Sequence, residues 1–157
     1  METGDIVFFK GESWISSLIT SLTGSSFSHV ALAVNDEKVI EADRFIKCRI
    51  RKINAEEIVT LKRVKGGLTK EEKNQLLNLV PDYLGRPYDY GAIARWFFRL
   101  LFKWELPIVD KANALYCTEL VDRLYMQIGK DIVPGAQIGD ITPFHLESTY
   151  MLEDISQ

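Results

Sequence analysis

Two short segments far apart in the chain carry residues able to do nucleophilic chemistry: Ser28-His29-Val30-Ala31-Leu32-Ala33-Val34 and Tyr116-Cys117-Thr118-Glu119-Leu120-Val121. The first sets one of only two histidines at the mouth of a predicted β-strand. The second sets one of only two cysteines at the start of an amphipathic helix. A helix N-terminus carries partial positive charge and favours the thiolate, the nucleophilic form of cysteine. Such a nucleophile needs a base to take its proton and a third group to orient that base. His29 meets the first need. Glu41, a carboxylate inside the otherwise apolar run Val39-Ile40-Glu41-Ala42, is the candidate for the second, because a charge in such a strand needs a reason to be there.

Whether Glu41 can reach His29 depends on parity. If the hairpin loop is the three residues Asn35-Asp36-Glu37, Val34 pairs with Lys38 and Ala31 with Glu41, so His29 and Glu41 are diagonal neighbours on one face. An even loop sets them on opposite faces. Each residue also has a plainer reading. Cys117 could be a small buried residue, His29 a satisfied turn histidine, and Glu41 the partner of Arg44 or Lys47 in a solvated hairpin. Cys48, in the alternating strand with Arg49-Ile50-Arg51 and no histidine nearby, reads as structural. His145, beside Thr142-Pro143-Phe144, reads as a loop residue or a cap.

These residues need elements to hold them. Ile6 to Phe9 is a short β-rich run, and apolar positions at 14, 15, 18, 19 and 22 predict a helix over Ser13 to Thr23. His29 to Val34 and Lys38 to Ala42 read as a hairpin, Cys48 to Ile53 as a third strand, and Val59 to Val64 as a fourth that ends at Gly66-Gly67. The period then changes. Thr69 with Glu72 three residues later is a capping box, and Leu76, Leu77, Val80 and Leu84 mark a helical face that ends at Gly85. Ala92 to Trp104 and Thr118 to Ile128 read as further helices, with a return to the sheet over Tyr150 to Ile155. The expected class is α+β, with antiparallel sheet first and helices second.

At 157 residues and 46% hydrophobic composition, with no low-complexity linker, the chain is expected to form one domain over 1–157. A net charge of -3 gives no overall drive toward nucleic acid. Two cysteines and two histidines without metal-ligand spacing predict free thiols, no disulfide framework and no metal or other cofactor. The N-terminus is acidic, with no basic n-region and no long apolar run, which predicts a cytoplasmic product.

Taken in order, Gly4-Asp5-Ile6-Val7, Ser28-His29-Val30, Val39-Ile40-Glu41-Ala42, Gly85-Arg86-Pro87-Tyr88-Asp89-Tyr90, Tyr116-Cys117-Thr118-Glu119-Leu120-Val121 and Ile141-Thr142-Pro143 resemble one family. It is the circularly permuted NlpC/P60-like, papain-like amidases of the YiiX/YaeF group. Histidine precedes cysteine here, as the permuted branch requires. The resemblance covers nearly the whole chain and implies a permuted papain-like fold, an antiparallel sheet or barrel packed against helices with the cysteine at a helix N-terminus. It also implies Cys117 as nucleophile, His29 as general base and acid, and Glu41 as the residue orienting the imidazole. Tyr88 looks like the family tyrosine beside the thiolate. Tyr90 competes for that role or, with Trp96, contacts substrate.

The reaction so implied is amide hydrolysis through a thioester, on a small peptide, a cell-wall-type peptide or an acyl amide. The alternatives are a lipid-directed acyltransferase or thioesterase of the same fold, a non-catalytic lipid- or peptide-binding module, and a structural role in an assembly. Residues 92–104 bear on the choice. Cations at 95, 99 and 103 form an i, i+4 stripe among aromatics and leucines, as on a helix that lies at a membrane surface. The plainer reading is a packed helix with its cations in water.

Overall fold

The computed structural model describes residues 1–9, 20, 24–43, 46–102, 114–136 and 140–156. Most of the expected helix over Ser13 to Thr23 therefore lies outside the described residues. Strands β1 (Ile6–Phe9), β2 (His29–Ala33), β3 (Lys38–Glu41), β4 (Arg49–Lys52), β5 (Thr60–Val64) and β6 (Leu152–Asp154) form one antiparallel sheet in the order β4-β3-β2-β1-β5-β6. Helices α1 (Lys70–Tyr83), α2 (Tyr90–Phe102), α3 (Cys117–Gln127) and α4 (Pro143–Ser148) follow β5, and the chain then returns as β6. The class is α+β, as the change of period predicts.

Alternation along the strands divides the sheet into two faces. Ile6, Phe8, Val30, Leu32 and Ile40 share one buried cluster with Leu120, Val121, Leu124 and Tyr125 of α3 and with Leu76 and Val80 of α1. Val7, Phe9, Ala31, Val39 and Ile53 form a second, smaller cluster on the opposite face. Fully burying each large apolar side chain contributes about 1.5–3 kcal/mol, so the α3 contact alone makes this helix a fixed platform. At the other end of the same helix the Tyr125 hydroxyl donates to the Gly4 carbonyl. Gly4 takes φ +94°, and a Cβ there would meet Leu68 Cδ1 at 2.5 Å, so the turn into β1 needs glycine.

Helix boundaries follow local capping. Thr69 and Glu72 form the expected reciprocal box at the start of α1. Helix α2 begins at Tyr90, two residues before its expected start, because the Asp89 carboxylate accepts the Ala92 backbone N–H and acts as N-cap. The segment around His145, expected as loop, is the short helix α4. Thr142 and His145 cap one another, with His145 Nδ1 accepting the Thr142 N–H at 3.1 Å. Among the described residues no helix is long and apolar enough to cross a membrane.

Candidate active site

The loop parity is the odd one. Leu32 pairs with Ile40 and Ala33 with Val39, and the Val34 N–H donates to the Lys38 carbonyl at 2.9 Å. The Asn35 side chain holds the turn by accepting the backbone N–H groups of Glu37 and Lys38. In this register His29 and Glu41 share a face, and His29 Nε2 lies 3.1 Å from Glu41 Oε2. Glu41 is 1% exposed, whereas the His29 ring, at the rim where β2 begins, keeps 16%.

Cys117 is the first residue of α3 and is buried. Its thiol is near enough to His29 to act on the protonation of that ring. Two elements distant in sequence, the start of β2 and the start of α3, thus meet through one cysteine and one histidine, and β3 adds the carboxylate behind the histidine. Burial works to lower the His29 pKa, but the hydrogen bonds and negative charges of Cys117 and Glu41 outweigh it and lift the value to about 10. Burial works to raise the Glu41 pKa, and it too is outweighed: His29 and Arg51 bring it down to about 2. The histidine is thereby favoured as imidazolium and the glutamate as carboxylate.

The N-terminus of α3 is fastened on several sides. Thr118 donates its hydroxyl to the Ile141 carbonyl, and the neighbouring Asp140 pairs with Arg99 of α2 at 2.7 Å. Leu115 forms a parallel bridge with Tyr88: its N–H donates to the Pro87 carbonyl and its own carbonyl accepts the Asp89 N–H, each at 3.0 Å. Tyr116, at the N-cap, supplies no side-chain hydrogen bond to the helix. The first N–H groups of α3 are therefore not occupied by a capping side chain from that residue.

The other expected site residues are less closely joined. Tyr88 is half-buried, its backbone beside Leu115, and its ring meets Tyr90 edge-on at 5.2 Å. Tyr90 is exposed at the start of α2. The side chain of Trp96 lies outside the described residues, as do Arg44 and residues 103–113. Cys48 is buried, and burial, with a smaller contribution from the Glu41 charge, pushes its thiol up to about 12. Cys48→Ala is therefore expected to leave activity within about twofold of the parent, checked by steady-state rates beside the melting temperature.

One prominent pair of residues was not foreseen. Among the described residues the cations on Glu41 are not Lys47 but Arg49 and Arg51 of β4, and Arg44 lies outside those residues. The Glu41–Arg49 and Val39–Arg51 register of the β3–β4 ladder brings both guanidinium groups to the Glu41 face. The signal was the alternation Arg49-Ile50-Arg51 opposite a lone acidic residue, legible only once that ladder is known. Among the described residues no group of three or more His, Cys, Asp or Glu side chains stands together so as to hold a metal ion.

Comparison with known proteins identifies the family and the fold. The model for permuted papain-like amidases of the YaeF/YiiX type, the C92 family, matches residues 1–138, a span that includes His29, Glu41, Tyr88 and Cys117. The uncharacterised protein YiiX of Escherichia coli strain K12 is 30% identical over 131 residues, which cover 79% of this chain and 57% of YiiX. The chain thus spans little more than half the length of that relative. The crystal structure of the metalloprotein YiiX from Escherichia coli O157:H7 aligns with a TM-score of 0.73 over 99% of this chain and 97% of that one, at 20% identity, a likeness of fold. With its family match, its α+β fold and its histidine ahead of its cysteine, the chain belongs to the YaeF/YiiX, C92 family of permuted papain-like amidases.

Proposed function

We propose that the chain hydrolyses an amide by a cysteine-dependent route in which Cys117 is the nucleophile, His29 the general base and acid, and Glu41 the residue that orients the imidazole. The observation that carries this reading is His29 Nε2 at 3.1 Å from Glu41 Oε2, with the Cys117 thiol near enough to act on the same ring. Glu41 occupies Nε2, which leaves Nδ1 as the nitrogen that exchanges a proton with the thiol. The sulfur attacks the carbonyl carbon, and the oxyanion is held by the Cys117 N–H at the start of α3. As the C–N bond breaks, the imidazolium gives its proton to the leaving amine. Neutral His29 then takes a proton from water, hydroxide adds to the thioester, and the acid leaves as the thiolate returns. Tyr88, beside Leu115, is the proposed second oxyanion donor, and Tyr90 and Trp96 are the proposed substrate contacts.

A small peptide amide is the first substrate class. A second, an amide with a long acyl chain, is favoured by one observation. Arg95 and Arg99, expected to face water, turn to Asp89 and Asp140, whereas Tyr90, Ala94, Phe98, Leu101 and Phe102 are exposed along α2, with the Phe98 and Phe102 rings stacked at 5.8 Å. This apolar stripe starts beside Tyr88 and would suit an acyl chain or a membrane surface. Intact-mass trapping with aryl esters of a dipeptide and of a long-chain fatty acid tests both. A hydroxylamine-labile adduct on Cys117 is expected. Faster formation from the dipeptide ester supports the first class and from the fatty ester the second, while an adduct on neither overturns the thioester route.

A further inference from the structure

Behind the relay, Glu41 is held by more than its histidine. Its Oε1 accepts three N–H groups: Arg49 Nε at 3.1 Å, Arg49 Nη2 at 2.9 Å and Arg51 Nε at 2.9 Å. The other oxygen, Oε2, is the one turned to His29. Arg51 is fixed at both ends, because its Nη1 donates to Glu57 Oε2 at 2.8 Å while its guanidinium lies over the Phe9 ring, 5.2 Å from the centroid. The Phe9 ring in turn lies 5.6 Å from the His29 ring. His29, Glu41, Arg51 and Phe9 therefore close a ring of four side chains on one face of the sheet, drawn from β2, β3, β4 and β1.

From this closed arrangement we propose that Arg51, with Arg49 beside it, is a positioning residue that acts on His29 through Glu41. By occupying Oε1 it fixes the plane of the carboxylate and keeps Oε2 toward the imidazole. The two arginines differ in how firmly they do this. Arg49 is 41% exposed and reaches Glu41 alone, whereas Arg51 is 22% exposed and is also tied to Glu57 and Phe9. Four charges, two arginines against Glu41 and Glu57, balance within the clamp. The clamp also keeps Glu41 ionised, since a guanidinium within hydrogen-bond distance favours the carboxylate. Arg51 touches neither thiol nor imidazole by hydrogen bond, so its influence must pass through Glu41.

This inference rests on the Cys117–His29 reading, and the test separates the two. The readout is the rate of Cys117 alkylation by iodoacetamide across pH, with peptide mapping and with melting temperatures as fold controls. Removing Arg51 raises the pKa of Glu41, so the imidazolium loses its carboxylate at a higher pH. Arg51→Met is expected to move the acid limb of labelling up by about one pH unit, a slowing of about tenfold on that limb. Arg51→Lys, which keeps the charge, is expected to restore the limb. Glu57→Gln, which leaves Arg51 on Glu41 and removes a like charge that Glu41 feels, is expected to shift it the other way and by less. An acid limb unmoved in Arg51→Met, or moved down, overturns the proposal. If Arg51→Met does not fold, an unmoved limb in Glu57→Gln does so. Should His29→Ala label like the parent, the Cys117–His29 reading itself fails, independently of the arginines.

Discussion

Cys117→Ala is expected to lower amidase activity by about 10⁴-fold or more, to the residue left by binding and the oxyanion donors, while the protein stays folded. The thiol is small and sits at the first position of α3, whose hold on the sheet comes from Leu120, Val121, Leu124 and Tyr125. Removing one sulfur from that edge costs about 1 kcal/mol, which in a chain of this size moves the melting temperature by about 2–4 °C. Imidazole NMR provides a sharper readout. After burial, which pulls the other way, Cys117 is the leading influence on His29 and holds its pKa up at about 10. In Cys117→Ala the His29 titration is expected to move down from that value. Loss of activity with no change in the His29 titration would mean that the two side chains are not coupled.

Glu41→Gln is expected to lower activity by about 10²-fold, toward the smaller end of what a positioned acid–base group contributes, because the amide still hydrogen-bonds the ring but no longer bears a charge. The sign of the pH effect follows. The carboxylate stabilises the imidazolium, so without it the His29 pKa falls and the alkaline limb of the rate profile moves to lower pH. Stability changes as well. The Glu41 pKa is depressed from 4.5 to about 2, so its contribution is present above pH 4.5 and is lost as pH falls toward 2. The variant is therefore less stable than the parent at pH 7, and the gap in melting temperature closes below about pH 4. An unshifted alkaline limb with a large stability loss would assign Glu41 a structural role only.

Much of this site was legible in the sequence for a definite reason. A three-residue loop, read from Asn35-Asp36-Glu37, sets the β2–β3 register, and with period 2 the register alone decides that His29 and Glu41 share a face. The Thr69–Glu72 box and the β1 limits, Ile6 to Phe9, were equally local signals. What was not legible depends on tertiary placement. The Arg49–Glu41 and Arg51–Glu41 pairs need the β3–β4 ladder, and the nearer cations in sequence, Arg44 and Lys47, drew attention instead. Along α2 the charge stripe suggested a face in water, yet Asp89 and Asp140 draw Arg95 and Arg99 inward and leave aromatics outside. Neither acid is on the face that a helical wheel displays. His145 lies in a helix of six residues, too short for a periodic pattern to mark, and there it acts as a cap.

The most direct test of the Cys117–His29–Glu41 relay is the pH dependence of iodoacetamide labelling at Cys117, mapped separately from Cys48 and compared with His29→Ala. Fast labelling of Cys117 below pH 7 that slows without His29, with Cys48 silent, is the expected result. Labelling of Cys117 no faster than a free thiol with a pKa of about 8.5, and indifferent to His29, would contradict the relay.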